Sequence, residues 1–327
     1  IARCIEIAKR GLGSTAPNPM VGCVIVVEDK IIAEGYTSPY GGAHAEVNAI
    51  KAVKDLNLLP KATLYVTLEP CAHFGKTPPC SDLIITHKIP RVVIGCVDTN
   101  EKVHGRGIAK LKAAGCEVIV GVLEDACKTH HKRFFTYHTK KRPYIILKWA
   151  ESNDGFIAPL SKSETKPVWI SSVYSRQVVH QWRAEEQAIL VGANTVVQDN
   201  PSLTTREVEG SNPTRIVIDL KNSLAETYQV FNSEAKTIRL TADTIDLQKP
   251  LASEVCKALH SFQINSVIVE GGQKTLQAFI DENLWDEARI FSADLNLEKG
   301  LQKPHIDGTL SSQTTIGSDC LKILFND

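Results

Sequence analysis

Thr67-Leu68-Glu69-Pro70-Cys71-Ala72-His73-Phe74-Gly75-Lys76-Thr77-Pro78-Pro79-Cys80 decides how the first half of this 327-residue chain is read. Its opening residues finish an apolar strand, Thr63–Leu68, and its prolines and glycine mark a loop. Cys80 then stands at the start of a short helix from about Ser81. Upstream, His44-Ala45-Glu46 opens another helical stretch, residues 44–56, with Val47, Ile50 and Leu56 at helical spacing. One imidazole and two thiolates complete the three-ligand set of a zinc site that keeps its fourth position for water. His44, Cys71 and Cys80 are therefore the expected Zn2+ ligands. Glu46, two residues past the histidine, faces another direction of the helix and need not ligate. It is placed to move protons between water on the metal and a substrate nitrogen. The rival arrangement is a closed structural site with a fourth protein ligand. His73, in the intervening loop, lies nearby and could equally face a substrate.

Outward from this stretch, strand-like and helix-like segments alternate. Ile1, Cys4, Ile5 and Ala8 share a helix face that ends at Gly11, and Val21–Val27 turns through Glu28-Asp29-Lys30 into Ile31–Ala33. Strand Arg91–Val97, helix 105–114 ended by Gly115, and strand Glu117–Val120 follow. This alternation predicts an α/β layer with a mainly parallel sheet. Lys140-Lys141-Arg142-Pro143 breaks the pattern, so the expected domains are 1–142 and 143–327. Beyond the break come strand Tyr144–Trp149, helix Ser172–Arg183, and strands Ala188–Val191 and Arg215–Asp219. Helix Leu251–Ser261, strand Ser266–Glu270, helix Lys274–Asp281 and a strand near Ala288–Ser292 complete a second α/β unit. Residues 221–249 carry no decisive periodicity.

The composition agrees with two buried cores. Apolar residues make up 43% and charged residues 23%, and the length matches about two domains of roughly 150 residues. Lys plus Arg and Asp plus Glu both number 37. The balance hides an asymmetry: residues 1–140 carry 18 basic and 13 acidic side chains, and the remainder 19 and 24. A protein that grips long nucleic acid shows a larger basic excess. No run approaches the ~20 apolar residues of a membrane helix, and no signal peptide opens the chain, so a cytoplasmic protein is expected. The chain starts at Ile1 without a Met, and a few residues are expected to precede it. Seven of the nine cysteines fall within the first 127 residues, and an odd, scattered count argues against a disulfide framework.

His-x-Glu followed by Pro-Cys and a second Cys is the pattern of zinc-dependent nucleobase deaminases, with the Glu as general acid/base. The usual form separates the cysteines by two residues, whereas eight lie between Cys71 and Cys80. With Asn18-Pro19 ahead of a strand, these motifs resemble the bacterial bifunctional riboflavin-biosynthesis deaminase/reductase family. The eight-residue spacing is characteristic of that family and separates it from tRNA-adenosine and cytidine deaminases. The resemblance implies an N-terminal cytidine-deaminase-like α/β/α domain. In it, His44, Cys71 and Cys80 bind zinc, Glu46 is catalytic, and Asn18, His73 and Lys76 contact a pyrimidine nucleotide. A lysine presented by a turn suits a phosphate as a point charge. Thr37, after Tyr36, stands where the family often has His, and Ala72-His73-Phe74 replaces the more usual Ser-His.

The second half has no Walker motif and no Gly-x-Gly-x-x-Gly. Strand Val267-Ile268-Val269 followed by Glu270-Gly271-Gly272 and a helix lets backbone N–H groups approach a phosphate, although an ordinary αβ turn has the same composition. Together with Leu147-Lys148, Asp154-Gly155, Trp169-Ile170-Ser171, Arg183-Ala184-Glu185 and Ala188–Gly192, this turn resembles the reductase half of the same family. The resemblance implies a C-terminal dihydrofolate-reductase-like α/β domain. NADPH contacts are implied for Ala150, Trp169, Thr195, Asp199, Gly271 and Gly272. Substrate contacts are implied for Arg183, Leu203, Arg206 and Glu270, with Lys148 beside the reacting carbon. Two guanidinium forks suit a phosphorylated sugar. The 156–168 segment is longer than in the commoner pattern, and Pro167-Val168 replaces a polar pair, so no side-chain contacts are carried over there.

The implied activity is two-step. Water activated by zinc deaminates 2,5-diamino-6-ribosylamino-4(3H)-pyrimidinone 5′-phosphate. NADPH then reduces the ribosyl group of 5-amino-6-(5-phosphoribosylamino)uracil to ribityl. The family further implies a homodimer formed through the reductase domains, with no nucleic-acid or membrane partner. Two rivals stand beside it. One is a nucleic-acid (tRNA) base deaminase with an accessory domain, and the other is a structural zinc-binding module.

Overall fold

The turn Glu28-Asp29 fixes the start of the first sheet: both residues have left-handed φ, 47° and 62°, the geometry that folds a chain tightly back on itself. The computed structural model describes residues 1–74, 78–99, 104–162 and 164–326, and divides into two units, Ile1–Lys141 and Arg142–Asp327. In the first unit, α1 (Ala2–Ala8) precedes β1 (Gly22–Val27), β2 (Lys30–Tyr36) and α2 (Ala45–Ala52). Then come β3 (Thr63–Leu68), α3 (Cys80–Thr86), β4 (Arg91–Cys96), α4 (Arg106–Ala113) and β5 (Glu117–Val120). Helices α5 (Glu124–His130) and α6 (Lys132–Lys140) close the unit.

The strand order is β2-β1-β3-β4-β5. β2, β3, β4 and β5 run in one direction and β1 alone is reversed, pairing antiparallel with both β2 and β3, so the sheet is mainly parallel with one reversed strand. A two-residue turn cannot cross over, so β1 and β2 have no other way to pair. The core lies between sheet and helices, with Ile25, Leu64, Val66 and Ile94 against Ala49, Ile50, Ile84 and Leu111. Gly35 sets the depth of α2: a Cβ there would stand 2.3 Å from Ala49 N, so only glycine lets the helix lie so close to β2. α2 ends at Ala52 and not near residue 56, because Val53 is already extended and a 3-10 turn, Leu56–Lys61, is capped by Asp55.

The second unit runs β6 (Tyr144–Ser152), β7 (Phe156–Pro159), α7 (Val173–Glu185), β8 (Ala188–Gly192), α8 (Ala193–Asp199) and β9 (Thr214–Ile218). β10 (Thr237–Leu240), α9 (Leu251–Ser261), β11 (Ser266–Val269), α10 (Gln273–Asp281) and β12 (Glu287–Ala293) follow, then β13 (Gly300–Gln302), β14 (Thr309–Ile316) and β15 (Asp319–Phe325). Its eight-stranded sheet has the order β10-β9-β8-β11-β6-β12-β15-β14. The strands from β10 to β12 are parallel, and β15 and β14 add an antiparallel edge. Near-continuous apolar runs such as Tyr144–Leu147 and Ser266–Val269 are buried, as central parallel strands require. Among the described residues, no helix is long and apolar enough to cross a membrane.

Candidate active sites

Two of the three expected metal ligands sit at helix starts. His44 is the extended N-cap of α2, Cys80 begins α3 after Pro78-Pro79, and Cys71 follows the end of β3. Their ligand atoms lie within 4.8 Å of one another, and among the described residues no fourth His, Cys, Asp or Glu joins them. His44 Nδ1 is 3.3 Å from Cys80 Sγ and 3.6 Å from Cys71 Sγ. A tetrahedral zinc with ordinary Zn–N and Zn–S lengths holds such atoms about 3.6 Å apart, so the donor set fits Zn2+. The Cys80 backbone N–H donates to Cys71 Sγ at 3.3 Å, a helix-start contact that favours the thiolate. The Cys80 side chain, then His44, hold the Cys71 thiol down at about 4 against the cost of burial. The same contact with Cys71 pushes Cys80 up, and the hydrogen bond to Cys71 raises His44 to about 8.

Glu46 is buried in the first turn of α2 beside this cluster. Burial first, and the Cys71 charge second, push its carboxyl up to about 7. Asn48 Nδ2 donates to Tyr36 O (2.7 Å) and Ser38 Oγ (2.9 Å), tying α2 to the end of β2. Thr37 is buried, and its Oγ1 accepts from Val21 N at 3.0 Å. The residue that departs from the family pattern thus holds the backbone where β1 begins. Asn18 is half-buried in a turn closed by its N–H to Thr15 O, and His73 is exposed. Lys76 lies outside the described residues. His130 Nε2 donates to Met20 O at 2.7 Å, while His131 Nε2 contacts Thr67 Oγ1 at 3.1 Å. These two histidines link the Asn18 segment and β3 to α5 and its junction with α6.

In the second unit, every residue implicated from the sequence lines one of two adjoining cavities. The first, about 410 Å³, is lined by Ala150, Gly271 and Gly272. The second, about 780 Å³, is lined by Arg183, Leu203 and Arg206. Lys148, Trp169, Thr195, Asp199 and Glu270 line both. Both volumes are in the range of small-molecule sites. Strand ends explain the convergence. Lys148 and Ala150 alternate onto one face of β6, Gly192 leads from β8 into α8 with Thr195 and Asp199, and Glu270-Gly271-Gly272 leaves β11 for α10. Ligands of parallel sheets collect at such carboxyl ends.

Buried charge defines the wall the cavities share. Glu270 Oε2 accepts from Arg183 Nη2 at 2.8 Å, and its Oε1 lies 3.8 Å from Lys148 Nζ. Burial alone would raise Glu270, but Arg183 and Lys148 outweigh it and hold the carboxylate at about 2. Burial pulls Lys148 below the usual lysine range. Glu270 Oε1 and Arg183 Nε are buried without a hydrogen-bond partner, Oε1 facing only the Lys148 ammonium. Such orphans, at the edge of a cavity of this size, fit an NADPH-and-sugar site.

Pattern reading passed over three side chains that line these cavities or brace the segments around them. His180, one turn before Arg183 on the same helix face, accepts the Arg206 N–H on Nδ1 at 3.1 Å. Burial first, then the Arg183 and Arg206 charges, lower it to about 4, so it is neutral. Arg215, fully buried on β9, donates to Ser202 O (3.2 Å), Gln229 O (3.2 Å) and Thr237 Oγ1 (2.9 Å), among others. Its signal was a lone charge in an apolar strand. Lys162, from the long 156–168 segment, forms an ion pair with Asp199. Leu203 holds a left-handed φ of 55° in the turn these side chains brace.

Residues 1–96 match the cytidine and deoxycytidylate deaminase zinc-binding region, and residues 143–319 match the RibD C-terminal domain. With the geometry above, these matches make the chain a zinc deaminase joined to a nucleotide-dependent reductase. A riboflavin biosynthesis protein RibD from Aquifex aeolicus is 41% identical over 313 residues, covering 91% of this chain and 86% of that one. Its Escherichia coli counterpart is 34% identical over 321 residues, covering 90% and 86%. The crystal structure of a diaminohydroxyphosphoribosylaminopyrimidine deaminase/5-amino-6-(5-phosphoribosylamino)uracil reductase from Thermotoga maritima is 39% identical. It superposes with a TM-score of 0.89 over 99% of this chain and 97% of that one. The chain belongs to the RibD family, the bifunctional deaminase/reductases of riboflavin biosynthesis. It is both a hydrolase and an oxidoreductase, and its units fit Zn2+ and NADPH respectively.

Proposed function

We propose that the 1–142 domain deaminates 2,5-diamino-6-ribosylamino-4(3H)-pyrimidinone 5′-phosphate and that the 143–327 domain reduces the ribosyl group of the product to ribityl. In the first site, His44, Cys71 and Cys80 hold the zinc, which when bound supplies Lewis-acid activation of a water. Glu46 takes the proton from that water and delivers it to the amino nitrogen, which leaves as ammonia. A carboxyl held near 7 suits both transfers at neutral pH. Asn18, His73 and Lys76 orient the pyrimidine nucleotide. The observation that carries this half is Glu46, buried beside a three-ligand cluster and not itself a member of it.

In the second site, Ala150, Trp169, Thr195, Asp199, Gly271 and Gly272 hold NADPH, which when bound supplies the hydride. Arg183, Leu203 and Arg206 hold the phosphorylated sugar, and Glu270 accepts from its hydroxyls. As hydride reaches ribose C1 the ring oxygen needs a proton. Among the ionisable groups that line both cavities, Glu270 is anionic and Asp199 is paired with Lys162, so Lys148, whose ammonium lies 3.8 Å from Glu270, is the donor. Supplying the diaminopyrimidine nucleotide to the purified protein, with and without NADPH, tests both halves. Ammonia release in both samples and NADPH oxidation following it are expected. Ammonia without NADPH oxidation would refute the reductase assignment, and no ammonia would refute the deaminase assignment.

The proposal includes a homodimer joined through the reductase domains. β14, an exposed edge strand, offers one available surface, and sedimentation analysis of the full chain tests the dimer. Thiolate ligands persist where thiols are kept reduced, which supports a cytoplasmic location.

A further inference from the structure

Glu69, between β3 and the Cys71 ligand, is buried, yet neither proton transfer nor substrate binding uses it. Its carboxylate accepts four backbone N–H groups. Oε1 takes those of Gly107 (2.9 Å) and Ile108 (3.2 Å), and Oε2 those of Gly105 (2.9 Å) and Asp98 (3.3 Å). Gly107 and Ile108 lie in the first turn of α4, where N–H groups have no partner within the helix. No side chain of the Gly105 N-cap can satisfy them, so the cap comes from a residue 36 or more positions away. The backbone of Glu69 is fixed as well, since its N–H donates to Cys96 O at 3.0 Å. The next residue, Pro70, touches the same helix: a Cβ on Gly107 would stand 1.9 Å from Pro70 O.

We infer that Glu69 is a positioning residue for the metal site, locking the start of α4 against Pro70 so that Cys71 is presented at the spacing zinc needs. The inference rests on the reading of His44, Cys71 and Cys80 as the zinc ligands. The chain between the lock and the ligand is one proline with a fixed φ, so a shift at Glu69 passes to Cys71 with little slack. Glutamine at this position would turn one oxygen into an NH2 that faces two backbone donors. Two amides would lose their acceptor and the start of α4 would come away from Pro70. Groups that orient a ligand from behind change metal affinity by about 10–100-fold when altered.

The test measures zinc affinity of the full chain by competition with a chromophoric chelator, for wild type, Glu69→Gln and Gly107→Ala. Glu69→Gln is expected to weaken zinc binding about 10–100-fold. Its ammonia release should return when excess zinc is added, with an unchanged KM for the nucleotide. Gly107→Ala leaves the carboxylate intact and drives a methyl group at the Pro70 carbonyl, so it is expected to weaken zinc binding too. It also keeps the test decisive if Glu69→Gln does not fold. A purely structural role would lower the unfolding temperature of metal-free and zinc-loaded protein alike and leave zinc affinity within twofold of wild type, and that result overturns the inference. Failure of the underlying site reading is a separate signal: wild type, or Cys71→Ser against wild type, would then show no zinc affinity attributable to these residues.

Discussion

Replacing Glu270 by glutamine tests the buried charge network of the reductase unit with a number attached. Glu270 is held at about 2 against an ordinary 4.5, because Arg183 and Lys148 outweigh the burial that opposes them. A shift of that size corresponds to about 3 kcal/mol of folding stability. The sign follows from the direction: a carboxylate lowered in the folded state stabilises it above pH 4.5, and the contribution fades as pH falls towards 2. At pH 3 the linkage relation removes about 2 kcal/mol of it, leaving about 1. Glutamine has the shape of the protonated acid, so the gap between wild type and Glu270→Gln should be about 3 kcal/mol at pH 7 and about 1 at pH 3. Urea unfolding of the full chain reads this directly. All four tryptophans, Trp149, Trp169, Trp182 and Trp285, lie in the second unit, so intrinsic fluorescence reports that unit alone. A gap that stays constant from pH 7 to pH 3 would refute the argument, since it would mean the side chain acts by shape and not by charge.

Other outcomes follow from the two sites. Glu46→Gln should retain one zinc per chain by metal analysis while ammonia release falls about 10²–10⁴-fold; undiminished turnover would remove Glu46 from its role. Cys80→Ser, or treatment of wild type with a strong chelator, should abolish ammonia release yet leave NADPH oxidation intact when the deaminated nucleotide is supplied. Arg206→Lys keeps the charge but loses the planar fork, so KM for the nucleotide should rise about tenfold with little change in kcat. In Arg206→Met, removing the substrate's phosphate should cost far less affinity than it costs wild type, measured as KM for the phosphorylated and dephosphorylated forms.

The sequence disclosed most where chemistry-bearing residues stand at the ends of elements. His44 and Cys80 are legible as neighbours because each opens a helix and Cys71 closes a strand, and such ends gather on one side of an α/β sheet. Lys148, Thr195 and Glu270 were brought together by the family resemblance, and the structure places all three on both cavities. Reading element ends failed where a side chain acts on distant backbone. His180 holds Arg206 across 26 positions, and Arg215 reaches Ser202, Gln229 and Asn232, none of which leaves a periodic trace. Glu69 stood inside the quoted motif, but its partners lie 29 to 39 residues on. The β14–β15 hairpin went unread because β14, Thr309–Ile316, is exposed along its length and has no apolar alternation to find.

The arrangement of charge in the second unit orients its substrate before any detailed contact is considered. Glu270 is anionic at neutral pH and sits on the wall shared by both cavities. Arg183 and Lys148 both face Glu270, so part of their charge is offset by its carboxylate. Arg206 is different: its guanidinium donates to the hydroxyls of Ser202 and Thr204 and faces the larger cavity. Under the proposed function the substrate's phosphate would be drawn to Arg206, and the sugar joined to it would extend back towards Lys148 and Glu270. Lys148 and Glu270 line both cavities, so under the proposed function C1 of the ribose would face the cavity assigned to NADPH. The zero net charge of the chain is consistent with this economy. Recognition of a small anion needs only a few placed cations and not a basic surface.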